Sequence, residues 1–364
     1  MSQPLSRSRV EDALRQVQDP YLQRDLISLG AVDAINIEAA RVEVVLILGY
    51  PAASIQQALS EQVWQVLSQL PGVDHVSVDI GWLVVASQAS NGIEAIAGVK
   101  NIIAVASGKG GVGKSTTAVN LALALAKEGA SVGILDADIY GPSQPQMLGV
   151  AGQRPQVLDN QTMLPIESHG VQSISMGYLV TDDTPMVWRG PMVSGALQQL
   201  LTQTQWGDLD YLMVDMPPGT GDIQLTLAQK VPVSGAVIVT TPQDIALLDA
   251  KKGIEMFRKV KIPILGVVEN MATYHCAQCG HEAHIFGEGG GDRIASDYQT
   301  QLLGSLPLDL AIREDADGGK PSVVADPDSA VSLIYRDIAR HMAAVLWLEA
   351  RSVEQAPQII ISDD

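Results

Sequence analysis

The chain contains little cysteine, little positive charge and no long apolar stretch. Its 364 residues include 2 cysteines, and 23 Lys and Arg against 41 Asp and Glu give a formal net charge of −18. So little cysteine excludes a disulfide framework, and the acidic balance disfavours non-specific binding to nucleic acid or to an anionic membrane. No apolar run approaches the ~20 residues of a membrane-spanning helix, and the first residues lack the apolar core of a signal peptide. We therefore expect a cytoplasmic protein that binds neither nucleic acid nor membrane.

The length suits two domains, and the first, residues 1–88, is predicted to be a small α+β domain. Its apolar residues follow the spacing of a helix, two strands, a helix and a strand in that order. The predicted elements are Leu5–Val17, Ala31–Glu38, Arg41–Leu48, Ser54–Leu70 and Val73–Ile80. Ser54 is the expected N-cap of the second helix. Residues 89–98 form the predicted linker.

A glycine-rich loop dominates the second predicted domain, residues 99–350. An apolar strand, 102–106, precedes the loop, and a helix over Thr116–Lys127 follows it, with Gly129 as its stop. The loop itself consists of Gly108, Lys109, Gly110, Gly111, Val112, Gly113, Lys114 and Ser115. This is the G-x-x-x-x-G-K-[ST] pattern of a P-loop, whose backbone N–H groups and helix N-terminus bind phosphates. We expect Lys114 to reach the β/γ-phosphates, Ser115 to bind magnesium, and Thr116 to belong to the same nucleotide site.

The rest of this domain alternates apolar strands with helical segments, which predicts a P-loop NTPase fold with a mainly parallel sheet. Asp136 and Asp138 follow one strand, Asp215 ends another, and Asn270 ends a third. In open parallel sheets such positions face the ligand crevice. Acidic groups that only cap a turn, and an asparagine that only forms one, are the alternatives. The acidic segment 351–364 is the predicted flexible tail.

The second lysine of the loop, Lys109, is not needed by an ordinary P-loop. The form G-K-G-G-V-G-K-S resembles the deviant Walker A motif of the family that contains the nitrogenase iron protein and the arsenite-pump, septum-site and chromosome-partition ATPases. The resemblance implies that Lys109 crosses a dimer to the partner's nucleotide. It also implies that Asp138 orients the attacking water and that Asn270 reads the adenine edge. Asp136 and Asp215 would hold magnesium.

The only cysteines, Cys276 and Cys279, form a C-x-x-C motif, whose two thiolates can bind one metal centre. Three readings follow from the residues. With His281 and His284 the pair would complete a zinc set within one chain. With a second copy of the chain it would complete a Cys₄ set. Alternatively the thiols form a redox dithiol or are inert.

A narrower resemblance rests on Asn270-Met271, the C-x-x-C-G-H run and Ile285–Gly291. These segments resemble the Mrp/NBP35-type iron–sulfur carrier ATPases, and Asp19–Gly30 resembles the MIP18-like domain of iron–sulfur assembly proteins. The resemblance implies a homodimeric ATPase that uses ATP and Mg²⁺, holds a 4Fe–4S cluster bridging two subunits at Cys276 and Cys279, and transfers it to apoproteins together with cluster-assembly proteins. The alternatives are a ParA/MinD-like positioning switch and a reductase like the nitrogenase iron protein. The first domain has no cysteine with which to bind a cluster, so we expect it to dock a partner or to regulate; a purely stabilising role is the alternative.

Overall fold

The computed structural model describes residues 5–87, 93–159, 161–179 and 190–354. The chain divides into two compact units, one formed by Met1–Ser87 with Ala343–Asp364 and the other by Gln88–Met342. Within the described ranges, no helix is long and apolar enough to cross a membrane. The predicted linker lies partly, and the predicted tail mostly, outside the described residues, at 89–92 and 355–364.

The first unit is a three-stranded sheet with two helices, as its alternating and helical apolar patterns predict. Its elements are α1 (Arg7–Leu14), β1 (Val32–Glu38), β2 (Arg41–Leu48), α2 (Gln56–Ser68) and β3 (His75–Trp82). Strand β2 lies in the middle, antiparallel to β1 and parallel to β3. The expected N-cap at Ser54 is wrong. The helix begins later, and the N-cap position is held by Ile55, whose apolar side chain cannot accept a hydrogen bond.

The core of this unit includes an aromatic side chain from the last helix of the chain. Trp347 packs against Tyr50, with 6.1 Å between ring centroids. It also covers Gly49 so closely that a Cβ there would lie 2.1 Å from the indole. Tyr50 in turn donates from its hydroxyl to the buried Asp19 carboxylate at 2.6 Å. The unit therefore depends on residues from both ends of the sequence.

The second unit is built on an eight-stranded sheet. Its strands are β4 (Val99–Ala106), β5 (Val132–Asp136), β8 (Ile166–Ser168), β9 (Val171–Ser175), β10 (Leu209–Asp215), β11 (Gly235–Thr240), β12 (Ile264–Glu269) and β15 (Leu302–Ser305). The strand order across the sheet is β15-β12-β11-β4-β10-β5-β9-β8. All neighbouring strands are parallel except β8, which is antiparallel to β9 at one edge. Strands β5 and β11 are buried along their whole length, as expected where helices cover both faces. This confirms the predicted P-loop NTPase fold with a mainly parallel sheet.

The helices that surround this sheet include the one that follows the glycine-rich loop. They are α3 (Lys114–Lys127), α4 (Gln144–Met147), α5 (Gly190–Thr202), α6 (Asp222–Lys230), α7 (Asp244–Lys259), α8 (Gly290–Asp297), α9 (Leu310–Asp317), α10 (Ser322–Ala325) and α11 (Ala330–Glu354). Two short hairpins, β6 (Val157–Leu158) with β7 (Thr162–Met163) and β13 (Tyr274–His275) with β14 (Glu282–Ala283), and a 3₁₀ turn at Met176–Tyr178 complete the unit. Helix α3 begins two residues before the predicted start, because Lys114 and Ser115 form its first turn.

A buried ionic cluster fixes the C-terminal end of α3. The side chain of Glu128 is fully buried and accepts hydrogen bonds from Arg336 at 2.8 Å and from Arg340 at 2.7 Å, both on α11. Two guanidinium groups therefore compensate one buried carboxylate, which is the arrangement that makes such burial tolerable. The helix that follows the P-loop is held in place at the end opposite the loop.

Candidate functional site

The predicted site residues gather where parallel strands end. The P-loop follows β4, Asp136 ends β5, Asp215 ends β10 and Asn270 follows β12. Asp136 and Asp215 are register partners on neighbouring strands. Because parallel strands place their carboxyl ends on one edge of the sheet, the side chains predicted from separate motifs lie in one crevice.

The backbone of the P-loop takes conformations that favour glycine. Gly111 and Gly113 both have φ of +81°, in the left-handed region. At Gly113 a Cβ would also lie 2.2 Å from Nδ2 of Asn270. Gly108 meets the backbone of Asp249 on α7, where a Cβ would come within 2.1 Å. Side chains at these positions would therefore push the loop away from its neighbours, and the close-packed backbone is suited to bind phosphate oxygens.

The ammonium of Lys114 forms an ion pair with Oδ1 of Asp215, and both side chains are buried. Lys114 also donates to the Ser115 hydroxyl at 3.1 Å. The second carboxylate oxygen of Asp215 accepts from Nε2 of Gln144 at 2.8 Å. Lysine, hydroxyl and carboxylate therefore lie together, and a hydroxyl with carboxylates is a ligand set that suits Mg²⁺.

The carboxylate of Asp136 is buried and accepts four hydrogen bonds. The donors are the backbone N–H groups of Asp138, Ser143 and Gln144, at 3.0–3.2 Å, and the hydroxyl of Ser175 at 3.1 Å. Burial, followed by the charge of the neighbouring Asp215, raises the pKa of Asp136 to about 7. This carboxylate is thus engaged in organising the loop that follows β5, and its contact with magnesium stays a prediction.

Asp138 is the more accessible of the two acids after β5. It is half-buried, and its Oδ1 accepts from the N–H of Gly141 at 3.3 Å. Burial raises its pKa, while the positive charge of Lys114 opposes that shift. Asp138 therefore has room to contact a water molecule, which the enclosed Asp136 lacks.

Lys109 and the loop after β10 are joined through Ser107. The Ser107 hydroxyl donates to the carbonyl of Lys109 at 2.9 Å, and the N–H of Gly219 donates to the carbonyl of Ser107 at 3.1 Å. Gly219 has φ of +99° and follows Pro218, which lies near Gly110. The ammonium of Lys109 is half-exposed and has no ion-pair partner within the described ranges. Its charge is available to a ligand or to another chain.

Asn270 contacts the P-loop directly. Its Nδ2 donates to the carbonyl of Val112 at 2.9 Å, and its Oδ1 accepts from the N–H of Met271 at 2.9 Å. Both ends of the amide are thus engaged within the chain, so the contact with adenine stays a prediction. A cavity of about 480 Å³ lies beside this contact, lined by residues that include Gly111, Thr116, Asn270 and Leu308. The cavity places space for a nucleoside next to the phosphate loop.

Cys276 and Cys279 lie on the turn that joins β13 to β14. The N–H of Cys276 donates to the carbonyl of His281 at 2.9 Å, and its own carbonyl accepts from Gly280 at 2.8 Å. Cys276 is half-exposed and Cys279 is exposed. The backbone N–H of Cys279 is the main cause that lowers the pKa of the Cys276 thiol, and the N–H of Gln278 adds to it. The lowered pKa favours the thiolate, which is the form of cysteine that binds metals.

The described residues do not complete a metal site at these thiols. Across the described residues, no group of three or more His, Cys, Asp or Glu side chains is arranged to hold a metal ion. His281 is exposed, and Nδ1 of His284 donates to the carbonyl of Ala272 at 3.1 Å. The zinc set with His281 and His284 stays an alternative that metal analysis must test.

Sequence motifs did not identify Gln144, which contacts Asp136, Asp215 and Ser115. It lies eight residues after a predicted site aspartate, on a short helix that periodicity does not reveal. Gln144 comes two positions after Pro142, and a glutamine in that position looks like an ordinary helix-start residue with no functional signal. Gln144 lies in the site only because α4 packs against α3, the helix that follows the P-loop.

Comparison with known proteins covers nearly the whole chain. The sequence profile of the family described as NUBPL iron-transfer P-loop NTPase matches residues 98–343, and that of an iron–sulfur cluster assembly protein family matches residues 7–80. The chain is 52% identical over 347 residues to the iron–sulfur cluster carrier protein of Salmonella typhimurium, which covers 95% of this chain and 94% of that protein. It is 54% identical over 246 residues to the iron–sulfur cluster transfer protein NUBPL of Mus musculus, covering 67% of this chain and 77% of the mouse protein.

A solved structure is similar to the second unit. The nucleotide-binding protein from Archaeoglobus fulgidus, determined in complex with ADP, is 37% identical and superposes with a TM-score of 0.56. The match covers 64% of this chain and 90% of the archaeal chain. The similarity thus extends to a protein with a bound adenine nucleotide.

Proposed function

Because the chain belongs to the family of NUBPL iron-transfer P-loop NTPases, we propose that it is an ATP-hydrolysing carrier that binds an iron–sulfur cluster and transfers it to apoproteins. The cluster is the cargo, and ATP with Mg²⁺ is the bound nucleotide. The observation that carries the proposal is the combination, in one unit, of a P-loop crevice with a pair of thiols, one half-exposed and one exposed, that has no further metal ligand among the described residues.

The nucleotide site supports binding of ATP with magnesium. The crowded glycine backbone, the adjoining cavity and the group formed by Lys114, Ser115 and Asp215 fit a triphosphate and its metal ion. Lys114 pairs with Asp215 in this structure, so nucleotide binding must move its ammonium from the carboxylate to the phosphates. Asp215 would then be free to hold a water of the metal ion. Bound Mg²⁺ supplies positive charge that stabilises the transferring phosphoryl group.

Hydrolysis would use the accessible acid after β5 and the loop lysine. Asp138 accepts a hydrogen bond from the attacking water and orients it. Asp136, whose oxygens are occupied by backbone donors, positions the loop that carries Asp138. Lys109 supplies a cation to the nucleotide of a partner copy, which is supported by the half-exposed position of this residue and by the lack of an ion-pair partner among the described residues.

The thiol turn supports a cluster shared between two chains. Cys276 and Cys279 supply two thiolates, half of the four that a 4Fe–4S cluster requires. The described residues give no third ligand, and a two-fold axis through the site would supply the other two thiolates. Exposure of Cys279 keeps the site accessible, which suits a cluster that must be released. The proposal therefore includes a homodimer with one bridging cluster.

Anaerobic reconstitution with iron and sulfide tests the proposal. We expect about two irons per chain, which is one four-iron cluster per dimer, with visible absorption from sulfur-to-iron charge transfer. Cys276→Ala and Cys279→Ala should each abolish stable binding, whereas the matched controls His281→Ala and His284→Ala should retain it. One zinc per chain that requires either histidine would contradict the proposal.

Transfer is measured with the reconstituted protein and an apo four-iron enzyme whose activity reports the cluster. We expect recovery of that activity with wild type and none with Cys276→Ala. ATP hydrolysis, followed as phosphate release, should be lost in Lys114→Ala. Stable cluster binding with no transfer to any apoprotein tried would instead favour a reductase that retains its cluster.

A further inference from the structure

One buried polar atom in the nucleotide crevice has no hydrogen-bond partner. Gln144 is 1% exposed, and its Nε2 donates to Oδ2 of Asp215 at 2.8 Å and to the carbonyl of Ser115 at 3.1 Å. Both N–H groups of the amide are therefore used. Its Oε1 is buried and without a partner among the residues that the structure describes. The neighbouring Ser143 hydroxyl is unpaired in the same way.

The groups around the Gln144 amide determine which of its ends is the NH₂ group. The carboxylate of Asp215 and the carbonyl of Ser115 can only accept hydrogen bonds, so the NH₂ end must face them. The backbone N–H of Gln144 donates to Asp136 at 3.1 Å, which holds the residue from its other side. Oε1 is therefore the free acceptor end of an amide whose other end contacts Asp215 and Ser115. A buried acceptor without a donor is destabilising, so a donor that enters with the ligand is the natural explanation.

The donors available at this position are few. The Lys114 ammonium already contacts Asp215 and Ser115, and it is needed by the phosphates when nucleotide binds. A divalent cation held near the Ser115 hydroxyl and Asp215 would carry bound waters, whose O–H groups are strong donors. The chain offers those waters one unoccupied acceptor, on a side chain that already touches both residues.

We propose that Gln144 is a positioning residue for magnesium: its Oε1 accepts a hydrogen bond from a metal-bound water, and its NH₂ group orients Asp215. The inference rests on the proposed binding of ATP with Mg²⁺. It also gives the loop after β5 a means to respond to the metal, because the same residue contacts Asp136 through its backbone. Groups that orient a metal's ligands typically change metal affinity 10- to 100-fold when removed.

Manganese binding to the full-length protein with ADP tests this role, with Mn²⁺ detected by electron paramagnetic resonance as the probe for Mg²⁺. Gln144→Met keeps the side-chain volume and removes the amide. We expect it to weaken Mn²⁺ binding to the ADP complex about tenfold, while ADP affinity in the presence of EDTA stays within about twofold of wild type. Gln153→Met, an exposed residue beyond α4, is the matched control and should bind Mn²⁺ like wild type.

Gln144→Asn is the second variant, since it keeps both the NH₂ group and the acceptor oxygen of the amide but draws them back by one methylene group. We expect it to bind Mn²⁺ more weakly than wild type. Equal Mn²⁺ affinity in Gln144→Met and wild type would overturn the inference, as would a loss of ADP affinity that is the same with and without metal. If Gln144→Met fails to fold, Mn²⁺ binding by Gln144→Asn that equals wild type overturns it. Absence of Mn²⁺·ADP binding in wild type would refute the proposed nucleotide function itself, and the inference with it.

Discussion

Replacing Asn270 by alanine separates two roles for its amide. In the structure the amide braces the P-loop, because it joins the carbonyl of Val112 to the N–H of Met271. The family resemblance instead implies that it reads adenine. A bracing residue affects every nucleotide that uses the loop, whereas a base-reading residue affects only the nucleotide whose base it recognises. The two roles therefore predict different patterns of affinity.

The size of the bracing effect follows from the contacts that are lost. In Asn270→Ala the carbonyl of Val112 loses its donor, and an unsatisfied buried acceptor costs about 1–3 kcal/mol. A water molecule that fills the space left by the amide would recover part of that cost. We therefore expect the free energy of nucleotide binding to weaken by about 1 kcal/mol. Since 1.4 kcal/mol corresponds to tenfold, the dissociation constants should rise roughly fivefold. The increase should be the same for ADP and GDP.

Isothermal titration of both nucleotides in the presence of Mg²⁺ measures this pattern. The control is Asn36→Ala, an exposed residue of the first unit, which should leave both affinities unchanged. A loss confined to ADP, with GDP binding unaltered, would refute the bracing role as the main one and would favour adenine recognition. The same titration with Gly113→Ala should show loss for both nucleotides, since its Cβ would displace the Asn270 amide.

Three further predictions concern stability. Glu128→Leu leaves Arg336 and Arg340 without their buried partner and should lower the free energy of unfolding by about 3–5 kcal/mol, seen in calorimetry; an unchanged transition would contradict it. Asp136 has a pKa of about 7 when folded and about 4 when unfolded, so the folded state keeps a proton that the unfolded state releases. The free energy of unfolding should therefore decrease as the pH rises from about 4 to about 7, by up to about 1.4 kcal/mol per pH unit. Asp136→Ser should show a flatter profile of melting temperature against pH over that range. Trp347→Ala should destabilise the first unit by about 3–5 kcal/mol, measured by urea unfolding, and a loss below about 1 kcal/mol would argue against that packing.

Local patterns were sufficient to predict the main elements of both units. Strand alternation in the first unit and the strand–loop–helix sequence around Gly108–Ser115 specify elements through side-chain spacing alone. The carboxyl ends of parallel strands then bring Asp136 and Asp215 together without further information. The fold and the crevice could thus be predicted from the sequence, because they depend on side-chain periodicity and on a motif with strict geometry.

Contacts between segments that are distant in the sequence could not be predicted from it. The pairing of Glu128 with α11 joins residues 208 and 212 positions apart, and no local spacing encodes it. The burial of Trp347 against Gly49 likewise depends on where the last helix runs. Gln144 belongs to the site only because a four-residue helix packs against the P-loop helix. These features follow from tertiary packing, which single-sequence patterns do not contain.

Two features that the described residues leave incomplete lie on the same edge of the sheet. Lys109 follows β4 with an ammonium that has no ion-pair partner in the described chain, and Cys276 and Cys279 lie on the hairpin that follows β12. Under the proposed function each needs a second copy, one for a nucleotide and the other for the remaining thiolates. A single two-fold interface at this edge would complete both. The nucleotide bound at the crevice would then change the same interface that holds the cluster, which gives ATP turnover a direct physical route to cluster release.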